Sequence, residues 1–348
     1  MDAASILFVV DAGPTAGGGH VMRCLTLAQA LAERGQRVAF VAPPAVADIL
    51  EVFADCEVAR VAASSCDPAD LAAADVSGYG ALVFDHYCLD GELQARMAAG
   101  RPALVIDDLA NRRLYADLVL DAGPARRPED YQGLVNADTE LLLGPDWALV
   151  RPQFVAHRAA SLARRGRHQP VANVQVALGL SDLGGVTARV VHRLAPRIGE
   201  AQVDIVLGAD APSRAALEAL AERDPRVRVH VGVRDMAALT AAADLAIGAA
   251  GSSSWERCVL GVPTVLLVLA ENQAPAAQAL AQAGAVEEVD ARASDFEAAF
   301  DRAVTSLLRS PERRARQSQI AAQVCDGEGA GRAAGALLTR LRRRRPNG

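Results

Sequence analysis

The chain contains no lysine, so all 36 of its basic residues are arginine, and only 4% of its 348 residues are aromatic. Its formal net charge is −6, and no compact basic stripe appears before the final residues. Because a negative chain is poorly attracted to a phosphate backbone, we expect no nucleic-acid partner. The arginine run at residues 342–345 is interpreted as a solvated end.

The chain also lacks long apolar runs and paired cysteines. No stretch approaches the roughly 18 to 20 apolar residues that span a bilayer, and the N-terminus, MDAASILFVVDAG, has neither the basic region nor the cleavage site of a signal peptide. We therefore expect a cytoplasmic protein without membrane insertion. No disulfide or zinc spacing is visible, so the six cysteines are predicted to be reduced core thiols. They are Cys24, Cys56, Cys66, Cys88, Cys258 and Cys325.

Length and periodicity predict two α/β domains. At roughly 150 residues per domain, 348 residues suggest two, and 51% hydrophobic residues are ample for buried cores. Short β-rich runs alternate with Ala- and Leu-rich segments of helical period, which is typical of parallel sheets covered by helices. One series starts with a strand at residues 6–10 and the other with a strand at residues 173–178. We predict two Rossmann-like domains with a cleft between them.

A proline-containing segment, residues 123–158, and an arginine-rich stretch, residues 164–169, separate the two series. We place the interdomain link there. The predicted N-terminal domain covers residues 1–155 and the C-terminal domain covers residues 170–310. Two further helices are predicted beyond Asp295, and those of residues 311–348 are expected to pack back on the N-terminal domain.

The motif Asp-Ala-Gly-Pro-Thr-Ala-Gly-Gly-Gly-His, residues 11–20, joins the first strand to the first helix. Consecutive glycines let the backbone approach a ligand and leave N–H groups free at a helix N-terminus, where an anion is favoured. The loop does not follow the Gly-x-Gly-x-x-Gly order of dinucleotide-binding domains. A structural histidine is the alternative to a functional one. The predicted ligand contacts are Asp11, Gly17, Gly18, Gly19 and His20.

The motif Gly-Ala-Ala-Gly-Ser-Ser-Ser-Trp-Glu, residues 248–256, occupies the same position in the second series. Gly251 permits a tight turn, and the amides and hydroxyls of the following serines can hold a diphosphate. Glu256, one turn into the helix, can accept both hydroxyls of a ribose. A serine-rich helix cap without a ligand is the alternative. The residues concerned are Gly251, Ser252, Ser253, Ser254 and Glu256.

Other polar residues directly follow predicted buried strands. In an open parallel sheet the ligand crevice lies beyond the carboxyl ends of the strands, so each such position is a candidate contact. A turn or a helix cap is the alternative at each. The candidates are Asp85, His86, Tyr87, Asp107 and Asp108 in the first series, and Ser181, Asp182, Asn272 and Gln273 in the second.

Five sequence blocks together resemble one enzyme family. They are G-G-G-H-V-M-R-C-L-T-L-A-Q-A-L, V-F-D-H-Y, I-D-D-L-A, G-P-D-W-A-L-V-R-P-Q-F, and G-A-A-G-S-S-S-W-E-R-C-V-L-G-V-P with its A-E-N-Q. The residues of these blocks, and the order of the blocks along the chain, are similar to those of the UDP-2,4-diacetamido-2,4,6-trideoxy-β-L-altropyranose hydrolases of pseudaminic acid biosynthesis. The last block alone also resembles the wider GT-B group, which includes the N-acetylglucosaminyltransferase that makes lipid II.

This resemblance implies a GT-B-like fold, a UDP-sugar substrate, water as the acceptor, and no metal or cofactor. It also implies that His20 activates water at the anomeric carbon in an inverting cleavage, for which an imidazole is suited at neutral pH. Flagellin or surface glycosylation is the implied biological role. The implied UDP contacts are Gly251 to Ser254 with Glu256, and we add Gly232, Val233 and Met236. The implied sugar contacts are Asp85, His86, Tyr87, Asp108, Asn272 and Gln273.

The chain departs from the family at Val9, Asp121, Trp147 and Leu180, where the family has Arg, Asn, Tyr and Gly. The resemblance therefore leaves the stereoisomer of the sugar open. Two other functions also stay open, a GT-B glycosyltransferase and a non-catalytic sugar-nucleotide-binding protein. A transferase often has an apolar membrane-facing patch, and residues 42–53 give no apolar run beyond that of a helix core. The sequence gives no oligomeric state.

Overall fold

The structure is a computed structural model that describes residues 5–13, 17–166 and 169–344. The chain forms two compact units. Unit 1 comprises Met1–Val150 and Glu328–Gly348, and unit 2 comprises Arg151–Gly327. No helix within the described ranges is both long and apolar enough to cross a bilayer.

Unit 1 is built on one parallel sheet of seven strands in its described residues. The strand order is β3-β2-β1-β4-β5-β6-β7, so the direction of winding reverses between β1 and β4. The strands are β1 (Ser5–Val10), β2 (Arg37–Val41), β3 (Ala59–Val61), β4 (Ala81–Asp85), β5 (Ala103–Ile106), β6 (Leu118–Asp121) and β7 (Glu140–Leu143).

Both faces of the unit 1 sheet are buried, which explains why its central strands are continuous apolar runs. Alternate residues of β1 point to opposite faces. Phe8 joins the core on one side, and Leu7 and Val9 join the core on the other. The first four helices are α1 (Gly19–Ala32), α2 (Pro44–Phe53), α3 (Pro68–Ala72) and α4 (Gly91–Ala98).

Unit 2 repeats this plan with a parallel sheet of six strands in the order β10-β9-β8-β11-β12-β13. Its winding reverses between β8 and β11. The strands are β8 (Asn173–Ala177), β9 (Gln202–Leu207), β10 (Val227–Val231), β11 (Leu245–Ala249), β12 (Thr264–Val268) and β13 (Glu287–Asp290). The prediction of two Rossmann-like α/β domains is therefore confirmed.

Eight α-helices lie in the described part of unit 2. The first, α5, starts near the end of the proline-containing segment that was predicted as the interdomain link and reaches into the arginine-rich stretch. The helices are α5 (Pro152–Arg165), α6 (Val186–Leu194), α7 (Arg214–Ala221), α8 (Met236–Ala242), α9 (Ser253–Val259), α10 (Ala274–Gln282), α11 (Phe296–Arg309) and α12 (Pro311–Val324).

Helix α5 begins at a proline because the first helical position needs no N–H partner. It is held in unit 2 by the Ser161 hydroxyl, which donates to the Leu260 carbonyl at 2.7 Å, and by Arg158, which donates to the Val259 carbonyl at 2.6 Å. The division between the units falls at Val150, which lies within the proline-containing part of the predicted link and close to the predicted boundary at residue 155. Residues 167 and 168 of that link lie outside the described ranges.

Among the described residues, three helices follow Asp295 where two were predicted, and the last of them packs in unit 1. This helix, α13 (Gly329–Arg344), lies against α1, and its Ala333 and Leu337 are fully buried there. Helix α12 belongs to unit 2, where the Gln317 side chain accepts the N–H of Thr264 at 2.7 Å. The expectation for residues 311–348 therefore applies to α13 and not to α12.

Candidate active site

In unit 1, several predicted site residues meet where the winding of the sheet reverses. Ligands of open α/β sheets bind at such a point, beyond the carboxyl ends of the strands. β1 leads into the glycine loop and α1, whose first turn carries His20, while β4 ends at Asp85. The N–H of Asp11 donates to the Asp85 carbonyl at 3.0 Å, which ties the two strand ends together. Residues 14–16 of the glycine loop lie outside the described ranges.

His20 and Asp85 form a short buried hydrogen bond. His20 Nδ1 and Asp85 Oδ1 are 2.6 Å apart, and the side chains are 7% and 0% exposed. Burial favours the neutral acid, but the Arg23 guanidinium and the His20 ring hold the pKa of Asp85 well below its usual range. The ionised carboxylate can only accept, so Nδ1 carries a proton. The lone pair of the neutral ring is then on Nε2, as a general base requires.

Arg23, one turn further along α1, donates hydrogen bonds to the same carboxylate. Its Nε donates to Asp85 Oδ2 at 2.5 Å and its Nη2 donates to Asp85 Oδ1 at 2.6 Å. Its Nη1 donates to Asp108 Oδ2 at 3.0 Å. Nη2 also lies 3.2 Å from His20 Nδ1, but both atoms are donors in this protonation state. Arg23 therefore connects Asp85, the partner of His20, with Asp108, and it is not among the residues that the sequence predicted.

Tyr87 and Asp108 complete the surroundings of the imidazole. The Tyr87 ring stands edge-to-face against His20, with centroids 4.7 Å apart and planes at 83°. Burial and the Asp108 carboxylate raise the pKa of Tyr87, so its phenol stays neutral. Asp108 Oδ1 is buried without a partner among the described residues. The Tyr87 phenol interacts with the same carboxylate, and Oδ1 can accept a further donor from water or a ligand.

His86, by contrast, is not available to a substrate as predicted. Its Nδ1 accepts the N–H of Cys88 at 3.1 Å, and its Nε2 donates to the Cys66 carbonyl at 2.8 Å. The residue is 3% exposed. Because both ring nitrogens are bonded to backbone groups, His86 holds the loop after β4 in place. Asp11 Oδ1 lies 3.7 Å from His86 Nε2.

The carboxylate of Asp107 is also used by hydrogen bonds from other groups of the protein. Its carboxylate accepts from Arg112 at 2.6 Å, from the Tyr131 hydroxyl at 2.9 Å and from the N–H of Ala110 at 2.8 Å. The same tyrosine lies 2.8 Å from Asp121 Oδ2. This buried network fixes the loops after β5 and β6, so Asp107 has a structural role beside Asp108.

In unit 2 the serine motif follows β11, at the reversal between β8 and β11. The N–H of Gly251 donates to Ala249 at 3.0 Å and the N–H of Ser254 donates to Gly251 at 2.9 Å, so both are used within the turn. The amides of Ser252 and Ser253 make no backbone hydrogen bond in the described chain. Of the four amides predicted to bind a diphosphate, only those of Ser252 and Ser253 have no backbone acceptor in the described residues. The serine hydroxyls are further candidate donors.

Glu256 lies one turn into α9, as the motif predicted, and is paired with an arginine that was not selected. Arg151 Nε donates to Glu256 Oε1 at 2.7 Å, and the side chains are 22% and 14% exposed. Arg151 immediately precedes α5. This pair fixes the direction of the carboxylate that the sequence assigned to a ribose.

Asp182 is a structural residue and not a ligand contact. It is fully buried and has a left-handed backbone with φ of 44°. Its Oδ1 accepts the N–H of Thr187 and its Oδ2 accepts the N–H of Ser213, both at 2.9 Å. Both carboxylate oxygens are therefore used to shape the loop after β8. The neighbouring Ser181 is exposed.

The remaining predicted contacts follow other strands of the unit 2 sheet. Asn272 is exposed after β12, whereas Gln273 Oε1 accepts the N–H of Leu269 at 2.9 Å and so stabilises the turn. Gly232, Val233 and Met236 follow β10, three strands from β11 in the sheet. Among the residues that the structure describes, no group of three or more His, Cys, Asp or Glu side chains could hold a metal ion.

Comparisons with known proteins agree with this architecture. Residues 185–329 match the glycosyltransferase family 28 C-terminal domain. The crystal structure of MurG from Acinetobacter baumannii superposes with a TM-score of 0.64 at 17% identity, covering 97% of this chain and 99% of that one. The spinosyn rhamnosyltransferase SpnG, solved with thymidine diphosphate, gives the same TM-score, also at 17% identity, over 97% and 100% of the chains. The fold is GT-B-like.

Sequence relatives of this GT-B-like chain include a hydrolase and a protein of spore coat polysaccharide biosynthesis. The UDP-2,4-diacetamido-2,4,6-trideoxy-beta-L-altropyranose hydrolase of Campylobacter jejuni is 22% identical over 80% of this chain and 97% of its own length. The spore coat polysaccharide biosynthesis protein SpsG of Bacillus subtilis is 31% identical over 43% of this chain. This chain covers 44% of SpsG and 34% of a Methanocaldococcus jannaschii relative, so it spans less than half of their lengths.

Proposed function

We propose that this GT-B-like protein is a cytoplasmic hydrolase of a UDP-linked 2,4-diacetamido-2,4,6-trideoxyhexose in pseudaminic acid biosynthesis. The observation that carries the proposal is the His20–Asp85 hydrogen bond, which leaves the Nε2 lone pair of the imidazole for a proton. The alignment with the C. jejuni hydrolase over 80% of the chain supports the substrate class. The family 28 match supports a nucleotide-sugar site in unit 2.

In the proposed reaction, a water oxygen attacks the anomeric carbon while His20 Nε2 accepts a proton from that water. The bond between the anomeric carbon and the β-phosphate oxygen breaks, and its electron pair leaves with UDP. Attack opposite the leaving group inverts the anomeric centre. Asp85 stabilises the imidazolium that forms, as the carboxylate of a catalytic triad does. Arg23 keeps Asp85 ionised throughout.

The binding roles in this proposal are assigned to backbone amides and side chains that can still make a hydrogen bond to a ligand. The amides of Ser252 and Ser253 bind the diphosphate, and Glu256 accepts the ribose hydroxyls. Asp108 Oδ1, which has no partner among the described residues, accepts a hydroxyl or acetamido N–H of the sugar. The phenol of Tyr87 contacts the sugar beside His20.

One experiment tests the reaction directly. The protein is incubated with the UDP-sugar and no acceptor, and UDP and free sugar are followed by phosphorus and proton NMR. We expect His20→Asn to lower kcat by about 10²- to 10⁴-fold, because that is the usual contribution of a general base. Its UDP affinity, measured by calorimetry, should be unchanged. His192→Asn, at an exposed histidine of unit 2, is the matched control.

A glycosyltransferase is the second candidate, favoured by the family 28 match and by the MurG likeness. It predicts that the sugar is released only when an acceptor is supplied. Wild-type protein that binds UDP but releases no sugar without an acceptor would therefore contradict hydrolysis. A non-catalytic binding protein predicts UDP binding without turnover under either condition.

A further inference from the structure

Arg257 is a buried cation at the serine loop. It is 4% exposed, and it donates to Ser253 Oγ at 3.0 Å, to Ser254 Oγ at 3.2 Å and to the Ala249 carbonyl at 2.8 Å. None of these acceptors is a carboxylate, and its Nε is buried without a partner in the described chain. Burial lowers the pKa of Arg257 to about 10, so the guanidinium remains charged at neutral pH.

The charge of Glu256 acts on Arg257, but the hydrogen bond of that carboxylate is to Arg151. Burying a cation without a directly bonded counter-charge is unfavourable, so the presence of Arg257 requires a reason. Arg314, also in unit 2 and 6% exposed, shows what a purely structural arginine does here. Within the described part of the chain it donates to backbone carbonyls alone, those of Leu307, Leu308 and Gln169. Two of the three acceptors of Arg257 are instead the hydroxyls of Ser253 and Ser254. These serines follow β11, where the strand order of the unit 2 sheet reverses.

Gly248 shows that the chain leaves space for this guanidinium. A Cβ atom at Gly248, in β11, would lie 2.4 Å from Arg257 Cζ, which is far inside any permitted non-bonded contact. Only glycine therefore allows the cation to sit against the end of β11. The strand end and the serine loop together enclose it.

The bond from Arg257 also determines what the Ser253 hydroxyl can do. Because Oγ accepts from Nη1, the hydroxyl proton of Ser253 is left to donate elsewhere, and Ser253 is part-exposed. A hydroxyl that accepts from a guanidinium is polarised and becomes a stronger donor. The Ser254 hydroxyl, in contrast, is directed inward to the Ala249 carbonyl at 3.4 Å.

We propose that Arg257 is a positioning residue for the diphosphate. It holds Ser253 as an outward donor, and it places a positive charge behind the loop where negative charge grows on the leaving β-phosphate. This inference rests on the proposed function, because it assumes that the loop after β11 binds the diphosphate of UDP. Arg257 acts through Ser253 and through its electric field, without contact to the substrate.

The test compares UDP with uridine, which lacks the phosphates, by titration calorimetry on the full chain. Because a hydrogen bond to a charged group is involved, Arg257→Gln should weaken UDP binding roughly 10- to 100-fold. Uridine binding should change less than about 2-fold. Arg257→Lys keeps the charge and should lose less than Arg257→Gln. Arg314→Gln is the matched control and should bind UDP as the wild type does.

A double-mutant cycle tests whether Arg257 acts through Ser253. Ser253→Ala should weaken UDP binding, and adding Arg257→Gln to it should cost less than Arg257→Gln alone, because the two residues are coupled. If Arg257→Gln does not fold, Arg257→Lys replaces it in the cycle.

The inference is overturned if Arg257→Gln binds UDP within about 2-fold of the wild type, if uridine binding weakens as much, or if the cycle is additive. Wild-type protein that binds UDP without hydrolysing the sugar nucleotide defeats only the proposed activity. Wild-type protein that does not bind UDP defeats both.

Discussion

Asp85→Asn removes one negative charge from the His20 site while nearly preserving the shape of the side chain. Arg23 then loses the charge-assisted bond of 2.6 Å from its Nη2, and the bond of 2.5 Å from its Nε is left with a neutral carbonyl as acceptor. The bond of 3.0 Å to Asp108 remains. The Arg23 side chain is 16% exposed, so its charge stays largely buried. Breaking one partner of a buried pair costs about 3–5 kcal/mol, and the remaining Asp108 places our expectation at about 3 kcal/mol.

The same substitution should also abolish the base. The asparagine carbonyl satisfies Arg23, and its amide N–H₂ then faces His20 Nδ1, which must accept. The ring proton moves to Nε2, so that atom can no longer take a proton from water. The corresponding exchange in a serine-protease triad lowers kcat about 10⁴-fold. We expect a loss of about 10³- to 10⁴-fold, equivalent to about 4–5.5 kcal/mol, with little change in KM.

The assay follows UDP release below the melting temperature of each variant, and calorimetry supplies that temperature. A loss of about 3 kcal/mol in a unit of this size lowers the Tm by about 6–12 °C. Asp117→Asn is the control, since this buried carboxylate of unit 1 accepts the N–H of Ala103 at 2.9 Å. A folded Asp85→Asn protein with kcat within about 10-fold of the wild type refutes the assignment of the proton to Nδ1. An unchanged Tm refutes the energetic role of the Arg23 pair.

Two further predictions concern stability. Because the pKa of Asp85 is held well below its reference value of 3.8, its stabilisation is complete above that value and is lost as the pH falls toward the folded pKa. The Tm difference between wild type and Asp85→Asn should therefore be constant near neutrality and shrink below about pH 4. A Tm difference at about pH 2.5 that equals the one at neutral pH contradicts the lowered pKa of Asp85. Asp182→Ala should destabilise unit 2 by about 2–4 kcal/mol because two buried amides lose their acceptor. Asp182→Asn should recover part of this loss, since asparagine tolerates a left-handed φ. If the Tm of Asp182→Ala equals that of the wild type, Asp182 does not stabilise the loop.

The sequence predicted best where chemistry follows a buried strand. His20 and Asp85 were both selected because each follows an apolar run at the carboxyl edge of a parallel sheet, and the structure joins them. Arg23 was missed although it lies three residues after His20, on the same face of α1. That i, i+3 spacing is a signal that could have found it.

Buried polar residues were harder to assign. His86 and Asp182 satisfy the same positional rule as Asp85, but their polar atoms are used by backbone groups. Sequence position alone does not distinguish a side chain that shapes a loop from one that faces a ligand. Arg151 and Glu256 are 105 residues apart, so no local pattern predicts their pairing.

Two helices whose bounds the sequence did not predict have compositions that resemble loops. Helix α5 starts with Pro152 and is rich in arginine, and α12 is polar along most of its length. Its buried Arg314 and Gln317 bond to backbone groups, so α12 is held by hydrogen bonds as well as by an apolar face. A hydrophobic periodicity cannot detect such a helix.

The return of α13 to unit 1 affects the order in which the chain can fold during synthesis. The core of unit 1 includes Ala333, Ala334 and Leu337, which the ribosome makes only after all of Arg151–Gly327. At translation rates of roughly 5–20 residues per second, the stretch from the end of α1 to the start of α13 takes about 15–60 s, and α1 lacks this partner during that time. Unit 2 is continuous in sequence and can close first. A fragment ending at Val150 would keep the apolar face of α1 uncovered and should be prone to aggregation.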